Sequence, residues 1–156
     1  MALTIAILED DPRRRLAMDR RLSERLWMYD VVYFDMPHAF CRWLERNSER
    51  VLFASLDHDM NRVEDCLAAG DDFQIGNGYD AAEWLARRRP AFPVILHTSN
   101  APAAARMESL LREAGWRVEW IVPAGDLEWI DREWMRAVER AALVETTEPP
   151  PDPVAG

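Results

Sequence analysis

The chain contains no lysine: all of its 19 basic residues are arginine. Its chemistry therefore has no side-chain amine, either as a Schiff-base nucleophile or as a point-charge phosphate clamp. Cysteine is almost as scarce. Cys41 and Cys66 lack any paired spacing, which argues against a disulfide framework or a zinc ribbon. Cys41 falls in an apolar helical pattern and reads as a core thiol. No apolar run approaches the ~20 residues of a spanning helix. The N-terminal "MALTIAILEDD" lacks the basic segment of a signal peptide, so the expectation is a cytoplasmic protein without membrane contact. Positive charge is not in surplus either. A net charge of −9 argues against extended nucleic-acid binding, which needs clustered cations to displace counterions. It leaves room for a small phosphate ligand or a single RNA end, where a local arginine or a metal ion neutralises a few charges.

What is present is an alternation of two periodicities. "TIAIL" (4–8), "YDVVYF" (29–34), "RVLFASL" (50–56), "FPVILHTS" (92–99) and "WRVEWIV" (116–122) are short apolar runs with the look of buried strands. Between them stand helical patterns. The first follows Pro12, with Asp11 as a candidate N-cap. Others cover "MPHAFCRWLERN", "YDAAEWLARRR", "APAAARMESLLREAG" (closed by Gly115) and "LEWIDREWMRAVERAALV". Five strand–helix alternations predict an α/β three-layer sandwich. Its sheet would have five parallel strands in the flavodoxin-like order 2-1-3-4-5. One domain over 1–144 and a disordered proline-rich tail over 145–156 follow from the composition. The segment 60–77 has weak periodicity and reads as a long loop beside the strand ends. "RRR" at 13–15 reads as a solvated helix face, and Trp43, Trp84 and Trp134 as core.

In such a sheet, ligands sit beyond the carboxyl ends of the strands. The tips of strands 1, 3 and 4 are predicted to lie side by side. They deliver Glu9, Asp10 and Asp11; Asp57, His58 and Asp59; and His97, Thr98, Ser99 and Asn100. Converging carboxylates repel one another and stay ionised only beside a cation. Asp10, Asp11 and Asp57 are therefore the candidate set for a divalent metal, with Mg²⁺ the natural guest of an oxygen-rich site. Glu9 and Asp80 are candidates for the outer shell.

His58 and His97 carry a second expectation. Two imidazoles facing one phosphate can serve as general base and general acid. That division of labour suits opening a 2′,3′-cyclic phosphate, with Asp59 orienting His58. Thr98, Ser99, Asn100 and Arg106 would bind the phosphate near a helix N-terminus. Ser99 or Asn100 serves equally well as a plain N-cap.

"ILEDDPRRRLAM" resembles the start of a response-regulator receiver domain. That resemblance implies a phosphoacceptor at Asp57, a Thr98 or Ser99 hydroxyl after strand 4, and a lysine at the end of strand 5. Here strand 5 runs into "IVPAGD". The alternative reading is therefore an atypical, non-phosphorylated receiver that acts as a signalling module on a protein partner. "SLDHDM", "GNGYDAAEWL" and "VILHTSNAPAAARM", in that order, resemble the cyclic-phosphate processing receiver-like family. Membership implies site positions at Asp10, Asp11, Asp57, His58, Asp59, Asp80, His97, Ser99, Asn100 and Arg106, and a cyclic nucleotide or RNA end as ligand.

Overall fold

Hydrophobic alternation decides the architecture. The computed structural model describes residues 2–60 and 76–147. Five strands, β1 (Thr4–Leu8), β2 (Asp30–Phe34), β3 (Val51–Leu56), β4 (Val94–His97) and β5 (Val118–Ile121), form one parallel sheet. Their order is β2-β1-β3-β4-β5, as the alternation predicts. Helices α1 (Pro12–Arg25), α2 (Pro37–Asn47), α3 (Gly78–Ala86), α4 (Ala101–Glu113) and α5 (Met135–Thr147) cover its two faces. Most of the expected loop at 60–77, Cys66 within it, and residues 148–156 of the expected tail lie outside the described residues.

Successive side chains of a strand point to opposite faces, and the sheet is buried on both. Leu8, Leu56 and Leu96 face one core, packed by Phe40 and Leu44 of α2, Leu85 of α3, and Met107 and Leu111 of α4. Ile5, Ile7, Phe53 and Ile95 face the other, against Met18 and Leu22 of α1 and Val138 of α5. Trp134 is fully buried there, whereas Trp43 and Trp84 are only partly buried against the first core. Before α5 the chain makes a π-helical turn, Ile130–Trp134, that carries this tryptophan inwards. Wide turns of this kind recur near functional sites.

The register has one consequence for function. Leu8 pairs with Leu56, and Leu56 with Leu96. The next residue along each of these three adjacent chains is Glu9, Asp57 and His97. By alternation all three face the α1/α5 side. The ladder continues past the strand end, since Asp57 N–H donates to Leu8 O at 3.0 Å.

Local chemistry fixes the helix starts around this edge. Asp11 caps α1, its Oδ1 accepting Arg13 N–H at 2.8 Å, with Pro12 in the first turn. Asn77 and Asp80 form a capping box at α3, and Asn100 caps α4. The α3 start is seated directly on the β3 exit: Gly78 N–H donates to His58 O at 2.9 Å. A Cβ at Gly78 would collide with Asp57 O and lie 2.8 Å from His58 Cα. Only backbone fits between them. Gly78→Ala is expected to destabilise the fold by about 1–3 kcal/mol through overpacking, read by chemical denaturation. Wild-type stability in that variant would show that α3 is not clamped to the Asp57–His58 backbone.

Candidate functional site

A cleft of about 440 Å³ opens beyond the strand ends, walled by Asp10, Asp11, Arg14, Asp57, His58, Asp59, Met60, Gly76, Asn77 and Ser99. Strands β1 and β3 supply the acids and His58. The α1 start supplies Arg14, and the loop after β4 supplies Ser99. The sequence places six of these walls at the site: Asp10, Asp11, Asp57, His58, Asp59 and Ser99.

His58 is held on its Nδ1 side. Asp59 Oδ1 lies 2.8 Å from Nδ1, and Asn100 Nδ2 lies 3.4 Å away. Asn100 Oδ1 accepts Ala103 N–H at 3.2 Å, which fixes the direction of that amide. The shorter, charge-assisted contact then makes Nδ1–H the donor to Asp59. In the neutral ring that tautomer puts the lone pair on Nε2, the form a general base needs. Asp57 is nearly buried. Its Oδ1 accepts the backbone N–H of His58 at 2.7 Å, and its Oδ2 lies 3.4 Å from Arg14 Nη1.

His97 lies elsewhere. It is fully buried behind the cleft and is not one of its walls. Its Nδ1 meets Ser55 Oγ at 2.7 Å, Trp134 Nε1–H donates to the same hydroxyl at 3.0 Å, and Trp129 stacks on the ring. Its Nε2 points at Glu9 Oε2, 3.7 Å away. Glu9, Asp57 and His97 each bring one ligand atom within 4.8 Å of the other two. This buried acid–imidazole cluster could hold a metal ion, and it shares Asp57 with the set Asp10, Asp11 and Asp57 expected from the sequence.

The remaining expected residues are distributed around this centre. Thr98 is buried and its Oγ1 accepts Asn100 N–H at 3.1 Å, which shapes the loop ahead of α4. Asp80 Oδ2 accepts Asn77 N–H at 2.8 Å in the capping box. Arg106 is exposed and sits over the Tyr79 ring at 5.5 Å, outside the cleft walls.

Five contributors escaped the sequence reading. Arg14 is not a solvated residue: its guanidinium reaches both Glu9 Oε1 and Asp57 Oδ2 at 3.4 Å and lies over Trp129 at 5.4 Å. Arg15 turns inwards as well, its Nε donating to Glu9 O at 2.5 Å. Ser55, Trp129 and Asn77 complete the surroundings. The signals were there. Arg14, Met18 and Leu22 follow i, i+4, i+8 spacing, Ser55 is a lone hydroxyl in an apolar strand, and Asn77 stands three residues before Asp80.

Burial dominates the electrostatics. It raises Glu9 from 4.5 to about 7, against contacts with Asp57 and Arg14 that favour the ionised form. It raises Asp57 from 3.8 to about 7, with the charge of Glu9 adding to the rise. It lowers His97 from 6.5 to about 4, so the imidazole is neutral at physiological pH.

The fold and the acidic cleft define the class: a receiver-like α/β domain. Residues 5–113 match the cyclic-phosphate processing receiver domain family, and the chain belongs to that family. Solved receiver structures share the fold. The phosphorylated cyanobacterial phytochrome response regulator RcpA superposes with a TM-score of 0.69 at 14% identity, over 96% of this chain and 100% of that one. The Mn²⁺-bound form of response regulator Rcp1 gives 0.65 at 15% identity, over 95% and 99%. The response regulator domain of Thermotoga maritima CheB gives 0.61 at 16% identity, over 96% and 100%. Among curated proteins none matches the chain. No described helix is long and apolar enough to cross a membrane.

The acid pair makes stability depend on pH with a definite sign. A carboxyl whose folded pKa stands above its unfolded value binds protons more tightly when folded. Its contribution is full below the unfolded value and is lost as pH rises through the folded one. For Glu9 that window runs from 4.5 to about 7. His97, lowered from 6.5 to about 4, works the opposite way and costs stability as pH falls through the same region. Glu9→Gln removes one of these charges. With chelator present, it is expected to stabilise the protein by about 2 kcal/mol at about pH 8 relative to its effect at about pH 5. Thermal melts at the two pH values check this. An identical effect at both would mean that Glu9 is not held protonated by burial.

Proposed function

We propose that the strand-end cleft binds a cyclic phosphate and, with a divalent metal, opens it by hydrolysis. The observation that carries this is His58, a cleft wall whose Nδ1 is tied to Asp59 and whose Nε2 is left as a base. Family membership and the cleft volume support it, since about 440 Å³ suits a nucleotide-sized ligand. The ligand is a 2′,3′-cyclic nucleotide or the cyclic end of an RNA, approached end-on, since the net charge of −9 disfavours a long backbone track.

His58 Nε2 takes a proton from water as the oxygen bonds to phosphorus. It returns that proton to the ribose oxygen as the P–O bond breaks and its electron pair leaves with that oxygen. Arg14 and the Ser99 hydroxyl meet the phosphate oxygens. Asp59 steadies His58, and Thr98 shapes the loop that presents Ser99. His97 acts on Glu9 and Asp57 rather than on substrate. A divalent metal, when bound, would supply charge neutralisation at the phosphate. Asp57 with the strand-1 acids would hold it. An all-oxygen set of Asp10, Asp11 and Asp57 would suit Mg²⁺, although Asp11 already commits one oxygen to capping α1.

A second reading rests on Asp57. It ends β3, borders the cleft, and has Arg14 as a neighbouring cation where no lysine exists. An atypical receiver that recognises a protein partner would use the same edge. Stable acetyl-phosphate or beryllofluoride modification of Asp57, insensitive to His58→Ala, would favour it.

Incubation with 2′,3′-cyclic nucleotides and Mg²⁺, Mn²⁺ or Co²⁺ tests the first reading. Turnover is expected, and His58→Ala should reduce it by about 10²-fold or more, the usual range for a general base. Absence of both binding and turnover with every metal would sink the proposal.

A further inference from the structure

Glu9 and His97 present an unresolved pair of atoms. Both side chains are fully buried. Glu9 Oε2 and His97 Nε2 face each other at 3.7 Å, and among the described residues neither has a hydrogen-bond partner. Buried polar atoms are nearly always satisfied, and one left unpaired is costly. At 3.7 Å these two atoms stand just beyond direct hydrogen-bond reach of each other.

The remaining carboxylate oxygens each have a neighbour and keep a second lone pair for an ion. Glu9 Oε1 and Asp57 Oδ2 face Arg14, and Asp57 Oδ1 accepts the His58 N–H. Arg14 therefore neutralises the cleft side and leaves the Glu9 oxygen that faces His97 without a cation. A separation of 3.7 Å is what two ligands at about 2.1 Å from one ion reach at an angle of about 120°.

We propose that Glu9, Asp57 and His97 form a mixed nitrogen–oxygen centre for a divalent transition metal, with His97 Nε2 as the ligand that selects against Mg²⁺. This deepens the metal-assisted reading of the adjoining cleft, which the centre meets at Asp57, and rests on that reading for its catalytic purpose. The ring is braced for this role. Ser55 Oγ contacts Nδ1 and also accepts from Trp134, and Trp129 stacks on the imidazole. A metal-bound histidine is typically fixed through its other nitrogen in this way. A hydroxyl can donate or accept, so Ser55 tolerates both tautomers: Nε2–H towards Glu9 before the ion arrives, and Nδ1–H towards Ser55 afterwards. Imidazole suits the later first-row metals, whereas Mg²⁺ prefers an all-oxygen octahedron.

The test uses the full chain stripped with chelator. Calorimetric titrations with Co²⁺ and Mg²⁺ give the preference, and pulsed electron paramagnetic resonance of the Mn²⁺-loaded protein reads nitrogen hyperfine coupling. Co²⁺ is expected to bind at least about 100-fold more tightly than Mg²⁺, falling to within about tenfold in His97→Gln. Nitrogen coupling is expected in the wild type and in His58→Ala, and its loss is expected in His97→Gln. If His97→Gln does not fold, the coupling in wild type and His58→Ala decides alone. Mn²⁺ bound without nitrogen coupling, or no divalent cation bound at all, overturns the proposal; the latter means that water fills the gap. Cyclic-nucleotide binding is measured separately. Nucleotide binding with Mg²⁺ but no nitrogen coupling defeats only the metal centre, whereas coupling without nucleotide binding defeats only the cyclic-phosphate reading.

Discussion

One register holds the site together. Leu8, Leu56 and Leu96 lie level across the three central strands, and their side chains sit in one core. The next position along each chain is therefore also level, on the opposite face of the sheet. Glu9, Asp57 and His97 occupy it. A slip of one residue in any strand would turn its member into the α2/α3/α4 core, and that strand's leucine would take its place. The apolar alternation that drives folding thus also sets the placement of the polar row. The energetic cost falls on that row, where two carboxyls share a nearly dry space with one arginine.

The surroundings make sense as responses to that cost. Arg14 stands on the buried face of α1, one turn before Met18, and reaches both acids. Ser55 and Trp134 occupy the Nδ1 side of His97, and Trp129 its face. The π-helical turn places Trp134 at this depth. Gly78 brings α3 onto the β3 exit, which adds Asn77 to the wall beside His58. Two compartments result: a buried centre on Glu9, Asp57 and His97, and an open cleft on Asp10, Arg14, His58, Asp59 and Ser99.

The sheet order, the helix positions and the edge that carries the site were legible in the sequence, because apolar runs end abruptly on ionisable residues. The allocation among Glu9, Asp10 and Asp11 was harder. Of three consecutive acids one is buried and two border the cleft, and only continuing the alternation of Ile5 and Ile7 one step beyond the strand selects Glu9 for the buried row. The same alternation through Ile95 sends His97 inwards, away from His58, so the two imidazoles do not face one space. Arg14 was hidden in a run of three arginines. Only the phase of α1, set by Met18 and Leu22 in the packed fold, separates it from the exposed Arg13. Asn100 was legible as an N-cap and serves as one, whereas Asp80, expected in the outer shell of a metal, closes the capping box with Asn77 instead.

Placement of a single ion reads this account most directly. Crystals grown with Mn²⁺ or Co²⁺, with anomalous differences collected at the metal edge, locate it without reference to activity. The account predicts a peak bridging Glu9, Asp57 and Nε2 of His97, behind Arg14. A peak in the open cleft on Asp10 and Asp11, with His97 still unliganded, would contradict it.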